Sequence, residues 1–334
     1  MYLRERGADG FWWGYDGQVL KRLRLSLSFR MPTMHPLPSR SMPRLLVSGH
    51  APLTAPVQAV DQHGQVRVVD IPAERPLTIY LDKRELVTLM TLGAHPDWLV
   101  LGYLRNQRLV QEAADIESIT IDWDADAAAV RMHLPLEALA ARTEHRVVTT
   151  GCGQGSVFGS LLEDLEAIRL PVEARITQGE LYELLNAIRL QESTYKSAGS
   201  VHGCALFQHG RMQLFIEDVG RHNAVDAIAG WMWLQGDAMQ GTGGLVFYTT
   251  GRLTSEMVIK AAQMGIAIVV SRSGITQMGQ RVAARLGLCA IGRAMNQRFL
   301  CYSAPERIEL QPELAGAESA ASGAGRAVSG AAGP

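Results

Sequence analysis

The sequence predicts an α/β protein with a smaller α+β unit ahead of its main domain. Three observations predict it. Beyond residue 200, short apolar strands alternate with helical stretches. Ahead of residue 146, short alternating strands surround one helical stretch. Between the two, at the glycine-rich "TTGCGQGSVFG" (149–159), the hydrophobic period changes.

The elements follow in order. Residues 1–50 are basic at the start and rich in Trp, Pro and Ser. They lack the apolar stretch of a secretory signal, and a poorly ordered extension is expected. Residues 51–148 form the small α+β unit. Within it, "VQAVDQHGQVRVVDIPAERPLTIYLDKREL" reads as short strands turning at His63-Gly64 and Arg75-Pro76. "PDWLVLGYLRNQRL" is helical by period, with Asp97 placed to cap its start. "IESITIDWDADAAAVRMHLP" reads as a hairpin turning at Asp124 to Asp126. Residues 149–160 are the cysteine-bearing glycine loop, and residues 161–310 the α/β domain. There, "SVFGSLLEDLEAI" and "TQGELYELLNAIRLQES" carry apolar residues at three- and four-residue spacing and read as helices. "VHGCALFQHGRMQLFIEDVG" is a hairpin turning at His209-Gly210. Three β-then-α units and a last strand, "LCAIG", follow and imply a largely parallel sheet covered on both faces. Residues 311–334 carry almost no large apolar side chain, so a disordered tail is expected.

Bulk composition narrows the function. A formal net charge of −1 gives no global field toward nucleic acid or an acidic membrane surface. No apolar run approaches the ~20 residues of a membrane helix. The 4 cysteines, Cys152, Cys204, Cys289 and Cys301, are widely spaced and form no zinc-ligand pair, which fits a reduced, cytoplasmic setting. His202-Gly203-Cys204 lacks the P-C-x-x-C partner of a zinc deaminase, and no G-x-S-x-G elbow is present.

In open α/β sheets, ligands bind beyond the carboxyl ends of the strands. Four consecutive strands end there beside an arginine: Gly220-Arg221-His222-Asn223, Gly251-Arg252, Ser271-Arg272-Ser273-Gly274 and Gly292-Arg293. One such arginine is ordinary surface. Four at equivalent places, beside helix N-termini, suit an anion with several phosphates. Glu217, Asp218 and Asp226 flank the first of these turns, either as ligand acceptors or as a cap and a solvated helix face. His222 either touches ligand or caps its helix.

Cys152 stands among Gly151, Gly153 and Gly155, at a turn from a β-branched run into a helix. Glycines keep the loop uncovered, and a helix N-terminus favours the thiolate. A reactive, nucleophilic thiol is expected there. Cys204, Cys289 and Cys301 read as packing residues. "GCGQGSVFG" also echoes a dinucleotide loop, but its spacing is off.

Taken together, "GCGQG" (151–155), "GSVHGCALF" (199–207), "EDVGRHNAVD" (217–226) and "TTGRLTSEMVIKAAQMGIAIVVSRSG" (249–274) resemble the FdhD family, accessory sulfurtransferases for formate dehydrogenase. The resemblance spans roughly 55 to 310. It implies a cytidine-deaminase-like three-layer domain, a homodimer and a cytoplasmic protein. It implies persulfide sulfur received from a cysteine desulfurase and passed to the bis(molybdopterin guanine dinucleotide) molybdenum cofactor, with GDP as a mimic of that cargo. Carried over by position, Cys152 resembles the persulfide cysteine. Ile291, Gly292, Arg293, Ala294, Met295 and Asn296 resemble part of the cofactor site. The expected clamp for the phosphates is Arg221, Arg252, Arg272 and Arg293, with Asn223, Gly251 and Ser271 beside them. His202 and His222 are the candidate bases. The loop departs from the C-x-x-C of many members, because Gly155 stands at the second position. A single cysteine can hold and hand on a persulfide, but it cannot resolve it into an internal disulfide. Two other readings stay open at this point: a binding module that only escorts the cofactor, and a dinucleotide-dependent oxidoreductase using "GCGQGS".

Overall fold

The computed structural model describes residues 42–49, 51–133, 165, 168–239 and 243–315. The Cys152 loop, the helix expected from "SVFGSLLEDLEAI" apart from Leu165 and Ile168, and the chain beyond Ala315 lie outside the described residues.

The first part of the described chain runs β1 (Arg44–Ser48), β2 (Thr54–Val60), β3 (Val66–Pro72), β4 (Arg75–Leu81), β5 (Arg84–Thr91), α1 (Pro96–Asn106), β6 (Ile116–Asp122) and β7 (Ala127–Met132). Five of these strands form one sheet in the order β1-β6-β7-β4-β5, and β2 pairs with β3 in a separate ribbon. Strand β1 falls inside the stretch expected as an extension and pairs in parallel with β6. The turn at His63-Gly64 is present: the Asp61 carboxylate accepts from the His63 and Gln65 amides. Arg75-Pro76, expected as a turn, opens β4 instead. Helix α1 starts at the N-cap His95 with Pro96 behind it, so Asp97 sits in the first turn and is not the cap. Proline suits that place, because its missing N–H would be unpaired there anyway.

The second part runs β8 (Ile176–Thr177), α2 (Gln178–Leu190), α3 (Thr194–Ala198), β9 (His202–Gln208), β10 (Arg211–Asp218), α4 (Arg221–Leu234), β11 (Leu245–Thr249), α5 (Ser255–Gln263), β12 (Ile268–Ser271), α6 (Gln277–Leu286), β13 (Cys289–Met295), β14 (Arg298–Ser303), β15 (Ile308–Glu309) and α7 (Pro312–Ala315). Short β8 and β15 pair with each other. Helix α7 lies within the expected disordered tail. Thr177 and Glu180 build a reciprocal capping box at the start of α2. His209 and Gly210, with φ of 49° and 74°, make the two-residue turn that the right-handed strand twist prefers.

The main sheet has the order β10-β9-β11-β12-β13-β14. It is mixed rather than largely parallel. Only β11/β12 and β12/β13 pair in parallel, while β10/β9, β9/β11 and β13/β14 are antiparallel. The sequence reading stopped at "LCAIG"; the chain in fact turns back at Asn296 into β14. Yet β10, β11, β12 and β13 all point one way, so their carboxyl ends share one edge.

Alternation along the strands divides the core into two layers. Cys204, Leu206, Phe247, Val269 and Ala290 face α4, α5 and α6. Ala205, Phe207, Tyr248, Val270 and Ile291 face Leu181, Leu184 and Leu185 of α2. The domain is therefore a three-layer helix–sheet–helix sandwich. Helix α4 is apolar nearly all round because α1 covers its far side. The two helices cross at Gly102 and Gly230. A methyl built on Gly102 would overlap the Asp226 carbonyl, and one on Gly230 the Trp98 carbonyl.

Two acidic residues read as ligand acceptors or surface prove to be internal struts. Asp218 is 5 % exposed. It accepts from the Thr91 hydroxyl, the Leu92 and Gly220 amides and the Asn223 amide nitrogen. Burial nonetheless pushes its carboxyl above the usual carboxylate range. Asp226 is fully buried, 2.8 Å from Lys260 Nζ, and accepts from Asn106 Nδ2 at 2.7 Å. Glu217 is a cap, accepting from the Thr194 and Tyr195 amides at the start of α3.

Candidate functional site

The shared strand edge opens into a cavity of about 570 Å³. Its walls come from the start of β9 (His202, Gly203), the ends of β11 and β12 (Thr250, Arg272, Ser273), the end of β13 (Ala294, Met295, Asn296) and the α2–α3 segment (Arg189, Tyr195, Lys196). Leu185, Ile188, Phe215 and Tyr248 form an apolar wall. Arg189, Lys196 and Arg272 bring three cations against one lining carboxylate, Glu217, whose oxygens already serve the α3 amides. Such a lining offers apolar contact together with charge-assisted donors for an anion.

A second hollow of about 340 Å³ lies beside the small sheet, lined by Glu74, Thr88, Met90, Arg221, His222 and Asn223 among others. His202 borders both spaces. The Nε of Arg221 is buried and makes no hydrogen bond among the described residues. Gly251 is required beneath it, because a Cβ there would come within 2.9 Å of Arg221 Cδ.

The expected site residues therefore divide. His202, Arg272, Ala294, Met295 and Asn296 line the cavity, and Arg221, His222 and Asn223 the second hollow. Arg252 is exposed and within electrostatic reach of His202. Ser271, Ile291, Gly292 and Arg293 line neither space. Ser271 is fully buried and donates to the Gly251 carbonyl at 2.7 Å, tying two strand ends together. Ile291 is core. Gly292 lies under Tyr302, 2.9 Å from where a Cβ would stand. Asn223 spends its amide on Met90 and Asp218. Arg293 belongs to β13, with a φ of 51° and its amide donating to Ser273 O at 2.6 Å, and its exposed side chain is not among the cavity walls. The expected four-arginine clamp is thus not one cluster. The other two cations of the cavity wall were missed because Arg189 stands in the last turn of α2 and Lys196 in short α3, far in sequence from the strand ends.

Burial depresses the His202 pKa below 6.5, and Arg221, His222 and Arg252 add to the effect. His222 is buried, its Nδ1 3.2 Å from Glu256 Oε1. Because His202 favours the neutral ring when folded, its protonation opposes folding, and stability falls as pH drops from 6.5 toward the folded value. An anion in the cavity reverses the local field. Adding pyrophosphate should raise the His202 pKa, read from its ring proton shifts across a pH titration. An unmoved pKa would place the anion elsewhere.

Cys204 is fully buried, 3.3 Å from Thr249 Oγ1, and burial pushes its thiol up to about 12. Cys289 is also core. Both fit the packing role expected of them. Cys152 lies outside the described residues.

Comparison with known proteins agrees with this architecture. The model of the FdhD/NarQ family matches residues 72–309. The sulfur carrier protein FdhD of Bacillus subtilis is 30 % identical over 250 residues, covering 74 % of this chain and 94 % of its own. The protein of the same name from Shouchella clausii is 29 % identical over 251 residues, covering 74 % and 92 %. Among solved structures, a protein of Desulfotalea psychrophila described as a candidate formate dehydrogenase accessory protein superposes with a TM-score of 0.62. It is 27 % identical, and the match covers 77 % of this chain and all of the other. The chain belongs to the FdhD/NarQ family.

Proposed function

We propose that this chain is a sulfur carrier in the service of formate dehydrogenase. Cys152 carries sulfane sulfur from a cysteine desulfurase to the bis(molybdopterin guanine dinucleotide) molybdenum cofactor, which is the cargo. The Cys152 thiolate attacks the outer sulfur of the donor's persulfide. The Cys152 S–S bond forms, the donor S–S bond breaks, and the donor leaves as a thiolate. The Cys152 S–S bond then breaks with its electron pair staying on the Cys152 thiolate, and the outer sulfur passes to the cargo as a neutral atom, the cargo's metal supplying the two electrons that reduce it to sulfide level. In this reading the chain works as a cytoplasmic homodimer with a cytidine-deaminase-like main domain. No helix among the described residues is long and apolar enough to cross a membrane.

One observation carries the reading: in a chain of this family, a cavity with three cations and an apolar wall sits at the shared strand edge. The residues fit one guanine dinucleotide arm of the cargo. Arg272, Lys196 and Arg189 suit its phosphates, and Phe215 and Tyr248 its base. The volume lies within the ~300–1,000 Å³ typical of small-ligand sites.

The test uses two variants. Cys152→Ala should bind GDP as the parent does and fail to activate formate dehydrogenase. Arg272→Ala should weaken GDP binding roughly ten- to a hundredfold, as expected for a charge-assisted contact. Full activation by Cys152→Ala would leave only the escort reading. A preference for NAD over GDP in calorimetry would favour the oxidoreductase.

A further inference from the structure

Cys289 and Cys301 were read from sequence as separate packing residues. The fold brings them together: β13 and β14 are antiparallel neighbours, and the two Sγ atoms lie 3.9 Å apart. The register slips between Ala290 and Ile291, which lets side chains two pleats apart meet. Cys289 is fully buried, whereas Cys301 is partly exposed. We infer that Cys289 and Cys301 form a reversible redox pair, with Cys301 as the oxidant-accessible thiol and Cys289 as the resolving one.

The surroundings suit those roles. The hydrogen bond from the Cys289 thiol draws the Cys301 thiol down to about 7, near the value at which a thiol attacks disulfides fastest. The same bond, with burial, raises Cys289. The charged neighbours are Glu306, which opposes ionisation of Cys301, and Arg307, whose field favours that of Cys289. The Arg307 guanidinium is itself held by the Gly287, Pro171 and Ala174 carbonyls. The sulfurs need to close by about 1.9 Å to reach the ~2.05 Å of a disulfide.

The oxidant is a small-molecule disulfide of the glutathione class. The Cys301 thiolate attacks one of its sulfurs, forming a mixed disulfide and releasing one thiolate. Cys289, losing its proton, attacks Cys301 Sγ and releases the second. Two electrons pass from the protein to the oxidant, which leaves as two thiols. The product staples the edge strand β14 to the sheet, at the end of β13 remote from the cavity-lining Ala294–Asn296. This pair stands apart from the Cys152 chemistry and does not rest on it.

The experiment is oxidation of the full chain with oxidised glutathione, alkylation, tryptic digestion and mass spectrometry. The expected product joins the peptide Leu286–Arg293 to Phe299–Arg307 with loss of two hydrogens, and dithiothreitol reverses it. Cys289→Ser should instead trap one glutathione on Cys301. Cys301→Ser should leave Cys289 unmodified. Cys204, equally buried but without a thiol partner at this distance among the described residues, is the internal control. The inference is overturned if both cysteines stay alkylatable while Cys152 takes up glutathione, or if Cys301 pairs with Cys152 or with a second molecule.

Discussion

Lys260→Ala should lower unfolding stability by about 3–5 kcal/mol, the usual effect of leaving one buried charge without its partner. Asp226 is fully buried, and Lys260 is 2 % exposed. Their 2.8 Å contact is made where water cannot replace it. Asn106 Nδ2 also donates to Asp226, so the unpaired carboxylate would keep one donor and lose its cation. The loss should appear as a lower urea midpoint with an unchanged slope. Removing both charges, as Asp226→Leu with Lys260→Met, should recover most of the stability, because a well-packed apolar pair avoids desolvating either ion. A Lys260→Ala variant within 1 kcal/mol of the parent would mean that water reaches Asp226 and that the strut is not closed.

Gly102→Ala and Gly230→Ala should each cost about 3 kcal/mol or more, at the upper end of overpacking. The added methyl meets backbone in both cases: the Asp226 carbonyl for the first, the Trp98 carbonyl for the second. Backbone cannot rotate out of the way as a side chain does, so α1 and α4 must separate. That separation strains the Asp226–Asn106 bond and loosens the seat of α4 between the two sheets. Thermal unfolding of the two variants measures it. Gly274→Ala is the control, since a Cβ there meets nothing within 4 Å, and it should change stability little. Equal melting temperatures for Gly102→Ala and Gly274→Ala would show that α1 is not closely seated on α4.

The elements legible in the sequence are those written in neighbouring residues. Thr177 with Glu180 marks the start of α2, and His209-Gly210 marks the β9–β10 turn, because each device completes its hydrogen bonds or dihedrals within a few positions. The common edge of strands β10 to β13 was also legible, since βα units repeat one direction. Strand β14 was missed because its turn at Asn296 carries neither glycine nor proline. The positive φ of 55° there is one that asparagine tolerates.

The site was legible only in part, and the reason is the same. Arg221, Arg252 and Arg272 stand next to strand ends, so the sequence alone placed them at one edge, and it placed Cys152 in a glycine loop. Whether a side chain there faces a cavity, the solvent or the core depends on partners far along the chain. Asp218 meets Thr91 across 127 positions and Asp226 meets Asn106 across 120. Those meetings make internal struts of two carboxylates for which the sequence left ligand contact and a solvated face both open. Other long-range packing leaves Arg293 outside the cavity walls, puts Arg189 and Lys196 among them, and sets Cys289 beside Cys301. Local periodicity determines where a helix or strand forms, because backbone hydrogen bonding and side-chain alternation act over a few residues. Burial and charge pairing are properties of the packed chain, and only the tertiary structure decided them.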